Sequence, residues 1–214
     1  MPLDPTRRHV IAGLGGAGFS LLLPRPLSAS PLVLTPGQTE GPFYPVTFPD
    51  DADNDLVRVR GQATEALGRV TYVSGRVLDR TGRPVPGAVV EIWQCDAHGR
   101  YRHPRAPDQN RFDTAFQGYG RTAVDDRGGY RFRTIRPVPY PGRTPHIHVA
   151  VYAPGQGRFV TQMYVEGEPL NARDGILNSI RNPATRQSVI VRLDPAPDLE
   201  PQALKGMFDI VLDL

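Results

Sequence analysis

Pro145-His146-Ile147-His148-Val149-Ala150-Val151-Tyr152 alternates imidazoles with β-branched side chains. Successive residues of a strand point to opposite faces, so the spacing predicts a strand with both histidines on one face and Ile147, Val149 and Val151 on the other. The β-branched row suits a packed interior, and the histidine row suits a pocket on a rigid support.

The rest of the chain reads as short strands set around this one. Val70 to Val77 is rich in β-formers and runs into the turn residues Asp79-Arg80-Thr81-Gly82. Ala88 to Gln94, Tyr130 to Thr134, Val160 to Val165, Ser188 to Leu193 and Met207 to Leu214 are further strand candidates, each bounded by glycine, proline, aspartate or asparagine. Asn171 to Arg181 allows one short helix, interrupted by Gly175 and closed by Pro183. With 23 prolines and 22 glycines in 214 residues, the expected fold is an all-β antiparallel sandwich rather than a helix bundle. Residues 70–214 are taken as the sandwich domain and residues 31–69 as an extended N-terminal arm. The arm is polar and proline-rich, and its acidic run Asp50, Asp51, Asp53 and Asp55 lacks calcium-loop spacing.

Residues 1–30 have a different character. Arg7 and Arg8 precede an apolar stretch from Val10 to Leu23, and Ser28-Ala29-Ser30 closes it, the layout of a secretory signal of twin-arginine type. The stretch is too short and glycine-rich for a membrane anchor, so a periplasmic or extracellular location is expected. Of 25 basic and 22 acidic residues, this segment takes Arg7, Arg8, Arg25 and Asp4. The remainder is nearly neutral, which argues against nucleic acid as a partner.

The single cysteine, Cys95, excludes an intramolecular disulfide and any multi-thiolate metal site. Metal chemistry must therefore use nitrogen and oxygen donors. Beyond residue 30 the only histidines are His98, His103, His146 and His148, and none follows His148, so a third histidine ligand must come from His98 or His103. Glu166 or Glu168 would complete a two-histidine, one-carboxylate site. Two tyrosines are further candidates: Tyr101 in Gly99-Arg100-Tyr101-Arg102-His103, and Tyr140 in the proline-locked Arg136-Pro137-Val138-Pro139-Tyr140-Pro141. A phenol with a pKa near 10 binds as phenolate only beside a strong, hard cation such as ferric iron.

These blocks, in this order, resemble the intradiol ring-cleavage dioxygenases over roughly residues 35–170. Thr35 to Pro45 is similar to the family's N-terminal segment. Gly87 to His103 resembles the block with its first tyrosine ligand, Tyr130 to Pro141 the block with its second, and Arg143 to His148 the block with its histidines.

The resemblance implies Fe(III) held by Tyr101, Tyr140, His146 and His148, with Tyr140 as the dissociable axial ligand. It also implies Arg143 and Gln162 as pocket residues and a catecholic substrate cleaved by O2 between its hydroxylated carbons to a muconate-type diacid. Only five residues separate Tyr140 from His146, and Gly142 stands where a family member has tryptophan, which implies a more open pocket. The chain lacks the family's helical N-terminal domain, so an oligomer, if formed, uses another surface. The segments around Val73 to Val90 and Gly128 to Phe132 also resemble transthyretin-like modules, so the alternative is an exported, non-catalytic binding module.

Overall fold

Strand β1 (Val70–Asp79) buries Thr71, Val73, Gly75 and Val77 while Val70, Tyr72, Ser74 and Arg76 are more exposed, the period-2 pattern of a sheet covered on one face, and only near its end is Leu78 buried as well. The computed structural model describes residues 32–214, so the expected signal segment lies outside the described residues. The other elements are β2 (Val89–Trp93), β3 (Tyr119–Ala123), β4 (Gly129–Ile135), β5 (His146–Tyr152), β6 (Arg158–Val165), α1 (Gly175–Asn178), α2 (Pro183–Gln187), β7 (Ile190–Val191), β8 (Asp194–Pro195), β9 (Leu204–Met207) and β10 (Ile210–Leu212).

The strands form two five-stranded sheets. In one, β4 pairs antiparallel along one edge of β1, while β9 and then β10 pair parallel along the other edge. The second runs β3-β2-β5-β6-β7, antiparallel except for the last pair. The sandwich is thus mixed where antiparallel pairing was expected. The long strands obey the expectation, and the short C-terminal strands, reached by crossovers, supply the parallel pairs. Val73, Val77 and Phe132 of the first sheet meet Ile92, Ile147, Val149 and Met163 of the second in one buried core. Each such side chain contributes about 1.5–3 kcal/mol of burial energy.

Several boundaries differ from the sequence reading. The strand expected over 188–193 shrinks to β7, because Asn182 caps α2 through the Thr185 amide at 3.0 Å. Pro183 sits at the start of α2, where its missing amide costs nothing, rather than closing a helix. The strand expected over 207–214 divides into β9 and β10 around Phe208, whose carbonyl accepts from the Tyr130 hydroxyl at 2.5 Å. The arm is also more than a surface strap, since Leu56 and Val57 are fully buried in the core.

Strand β3 is absent from the sequence analysis, its short run being preceded by Gly118 and interrupted by Gly120. At Gly120 a Cβ would lie 2.5 Å from Leu56 Cδ1 and 2.6 Å from the Asp53 carbonyl, so the glycine marks where the arm crosses the sheet.

Candidate active site

Strand β5 separates its faces as its alternation predicts. Ile147, Val149 and Val151 enter the core, and His146, His148 and Ala150 face the outer side of the second sheet. Cross-strand pairing places Trp93 and Gln162 on either side of His148 and puts Tyr164 opposite His146.

Two loops bring the tyrosines to this face. Buried Asp96 accepts the His98 and Arg100 amides at 2.9 and 3.0 Å and the Asp113 amide at 2.9 Å, which fixes the turn leading into Tyr101. Tyr140-Pro141-Gly142-Arg143 is a tight turn closed by the Arg143 amide on the Tyr140 carbonyl at 3.0 Å, with Gly142 at φ 82°. Proline followed by a left-handed glycine is the type II pattern, and it sets Tyr140 and Arg143 side by side.

The four expected donors converge. His146 Nε2 and His148 Nε2 are 3.2 Å apart, and the Tyr140 ring lies 5.4 Å from His146 and 5.5 Å from Tyr101. The Tyr101 ring is 6.2 Å from that of His148. His146 Nδ1 lies 2.6 Å from the Thr144 carbonyl, which assigns the proton to Nδ1 and leaves the Nε2 lone pair free. Burial, then the charge of Arg143, lowers the His146 pKa to about 4, and burial with its charged neighbours holds His148 well below its ordinary value. Both rings are therefore neutral near pH 7, as metal ligation requires.

Tyr101 is buried, and its hydroxyl has no partner. Burial pushes this phenol well above its ordinary pKa and raises Tyr140 too, against the opposing Arg143 charge. Neither phenol ionises unaided. The His146 Nε2 lone pair, the His148 Nε2 that faces it, an unpartnered buried hydroxyl and a second phenol form a donor set that fits a hard, highly charged cation.

Arg143 sits at the hub. Its guanidinium donates to Gln162 Oε1 at 2.6 Å, approaches the Tyr140 hydroxyl and His146 Nε2 at 3.4 Å each, and donates from Nε to Asp174 Oδ2 at 2.8 Å. Gln162 Nε2 in turn donates to the Thr39 carbonyl of the arm at 2.9 Å. Asp174, absent from the sequence reading, also accepts the Thr144 amide and the first amides of α1. Its only sequence signal was its place ahead of a short helix.

Other candidates fall away from the site. His98 is exposed, Glu166 is exposed, and Glu168 pairs with Arg136. Among the described residues no three of His, Cys, Asp and Glu gather as a metal cluster, so the structure gives no carboxylate partner to the histidine pair. Phe116 belongs to the core, whereas Phe43 stacks on Tyr101 at 4.7 Å and Trp93 lies parallel to His148 at 4.9 Å. No helix among the described residues is long and apolar enough to cross a membrane.

Fold and donors together define a class of protein, a β-sandwich with a recessed nitrogen and oxygen donor centre on the outer face of one sheet. The dioxygenase family model matches residues 39–214. The protocatechuate 3,4-dioxygenase beta chain of Burkholderia cepacia is 40% identical over 179 residues, covering 80% of this chain and 76% of that one. Hydroxyquinol 1,2-dioxygenase of Corynebacterium glutamicum is 33% identical, covering 81% of this chain, which spans only 63% of that relative. The solved dioxygenase domain of a dioxygenase and carbohydrate-binding protein fusion from Streptomyces sp. SirexAA-E superposes with a TM-score of 0.65 at 32% identity, covering 85% of this chain and 99% of that one. The chain belongs to the intradiol ring-cleavage dioxygenases, a family of oxidoreductases.

Proposed function

We propose that this chain is a non-haem Fe(III) enzyme that cleaves a catechol-type ring between its two hydroxylated carbons with O2, giving a muconate-type diacid. The observation that carries the reading is the convergence of Tyr101, Tyr140, His146 and His148, with facing Nε2 atoms 3.2 Å apart and an unpartnered Tyr101 hydroxyl. A binding module has no use for this donor set. The names of the relatives, for protocatechuate, hydroxyquinol and catechol, support a vicinal dihydroxybenzene as substrate.

Tyr101, Tyr140, His146 and His148 would hold the ferric iron, which when bound would supply Lewis-acid chemistry that favours the deprotonated catechol and its reaction with dioxygen. Tyr101, His146 and His148 are the ligands with buried rings, fitted to stay in place. Tyr140 is only partly buried and sits on the Pro141-Gly142 turn, so it is the ligand placed to leave and to accept a phenolic proton from the substrate. Arg143 brings its guanidinium beside Tyr140 and His146, where it stabilises negative charge gathering on the ring. Gln162 holds Arg143 from one side and Asp174 from the other.

The test is iron content and the visible spectrum of the purified protein, before and after anaerobic addition of a panel of catechols. One iron per chain with a broad tyrosinate-to-iron band, shifted by a catechol and altered in Tyr140→Phe, supports the reading. Iron-supplemented protein that stays colourless overturns it. We also propose export by the twin-arginine route, on the strength of Arg7, Arg8 and the apolar stretch behind them. Replacing both arginines by lysine then retains the full-length chain inside the cell, and unchanged export rejects this route.

A further inference from the structure

A line of oxidisable side chains leads outward from the donor centre. The Trp93 indole lies parallel to the His148 ring, with 8° between the planes and 4.9 Å between the centres. The Tyr44 ring stands edge to face with that indole at 5.0 Å. Tyr44 is half-buried, and its ring is 5.9 Å from that of Phe48, which is 49% exposed, so the line ends near solvent. Ring cleavage as proposed above uses neither Trp93 nor Tyr44.

The two rings differ in what can happen to their protons. Trp93 Nε1 is buried and has no partner, so an oxidised indole there has no acceptor for its proton and stays a cation. The Arg158 guanidinium lies 5.7 Å from the Trp93 ring centre and 4.2 Å from that of Tyr44. A positive ring beside it is costly, although Glu40 pairs with Arg158 and softens the effect.

Tyr44 escapes that cost. Its hydroxyl donates to Glu91 Oε2 at 2.8 Å, and Glu91 is only 3% exposed. Arg121 Nε lies 3.6 Å from the other carboxylate oxygen, which leaves Oε2 to the phenol. Burial, then the Tyr152 and Glu91 hydrogen bonds, hold the Tyr44 phenol above its ordinary pKa, so its proton leaves only with an electron. A positive charge passed from Trp93 to Tyr44 therefore ends as a neutral tyrosyl radical and a protonated Glu91.

We propose that Trp93, Tyr44 and Glu91 form a proton-coupled electron relay that draws an oxidising equivalent away from the donor centre and its ligands. The source of that equivalent rests on the ferric reading above, whereas the relay itself does not. A one-electron oxidant of the peroxide class at the donor centre takes an electron from Trp93 and is reduced by it. Tyr44 returns an electron to Trp93 as its O–H bond breaks, and the proton forms a new O–H bond on Glu91 Oε2. A dissolved catechol closes the cycle: it donates one electron to Tyr44 and releases a proton to water, and Glu91 hands the phenolic proton back.

Trp93 is the protein's single tryptophan, so a near-ultraviolet laser flash photoionises it selectively in iron-free protein, with a dissolved cobalt(III) ammine taking the ejected electron. The expected result is an indolyl absorption that decays as a tyrosyl absorption grows at the same rate. Tyr44→Phe nearly abolishes that growth. Glu91→Gln, which keeps the hydrogen bond but is a far weaker base, slows it about tenfold. Tyr119→Phe, at a ring 6.3 Å from Tyr44, leaves it nearly unchanged. In iron-loaded protein treated with hydrogen peroxide, mass spectrometry finds oxidation at Tyr44 in the wild type and at Trp93 and His148 in Tyr44→Phe. No tyrosyl growth after the flash, growth that Tyr44→Phe leaves intact, or the same peroxide map in both proteins overturns the proposal. Protein that takes up no iron rejects the ferric reading instead, and the flash kinetics still decide the relay.

Discussion

At His146 the burial that suits the ring for ligation makes the iron-free protein sensitive to acid. The unfolded chain takes up a proton on this ring near pH 6.5, and the folded chain only near pH 4. Stability is therefore intact above pH 6.5 and falls as pH drops toward 4, by about 3 kcal/mol. Urea titration of iron-free protein at pH 7.5 and 4.5 reads this directly, and His146→Gln has the shallower decline. An identical decline in the variant would falsify the assignment. Asp174 poses a separate test, because one carboxylate serves the Arg143 guanidinium, the Thr144 amide and the first turn of α1. Asp174→Ala leaves a buried cation and several amides unpaired and costs about 3–5 kcal/mol. Asp174→Asn keeps one oxygen to accept the first amides of α1 but turns an NH2 toward the Thr144 amide and Arg143, so it costs less in stability than Asp174→Ala and its loss falls mainly on kcat. Equal unfolding midpoints for the two variants argue against this division of roles.

The turn from Tyr140 to Arg143 shows how one short element sets the site. Gly142 sits at φ 82°, and a Cβ there meets nothing within 4 Å, so Gly142→Ala pays for backbone strain alone. That strain is about 1–2 kcal/mol, and as the turn relaxes it separates Tyr140 from Arg143. The expected outcome is a modest loss of stability with a clear change in the tyrosinate-to-iron band, whereas an unaltered band means that the turn does not position Tyr140. Elements of this kind were legible in the sequence. The alternation of 145–152 states its geometry locally and survives in the structure, and the proline-locked segment that ends at Pro141 leads into the turn. Strand β3 and the division between β9 and β10 were not legible, because long-range contacts decide them: Gly120 is there for the arm, and the Phe208 carbonyl answers Tyr130. Asp174 stayed hidden for the same reason, since its partner Arg143 lies 31 residues away.

Across the whole molecule, the arm decides whether the sandwich and the site are one unit. Gln38 and Thr39 hold Gln162 through its amide and its side chain, and Arg158 pairs with Glu40 while its guanidinium lies 4.2 Å from the Tyr44 ring centre. Further along, Arg133 binds Asp55 and Glu65 of the arm together with Glu200 near the C-terminus. Exposed ion pairs are worth little, so most of the energy of this docking must come from apolar burial. Leu56 is the arm's largest fully buried side chain, seated against β3. Leu56→Ala should cost about 2–5 kcal/mol in unfolding free energy. Leu67, in the same arm but 56% exposed, is the control, and Leu67→Ala should stay within about 0.5 kcal/mol. If the arm were a strap laid on a finished sandwich, Leu56→Ala would be as mild as Leu67→Ala and would leave the unfolding transition unchanged. A large loss with a single cooperative transition instead makes residues 38–57 part of the folding unit, and Gly41, where a Cβ would lie 3.2 Å from His148 Cε1, then cannot lift off that ring without loosening the core.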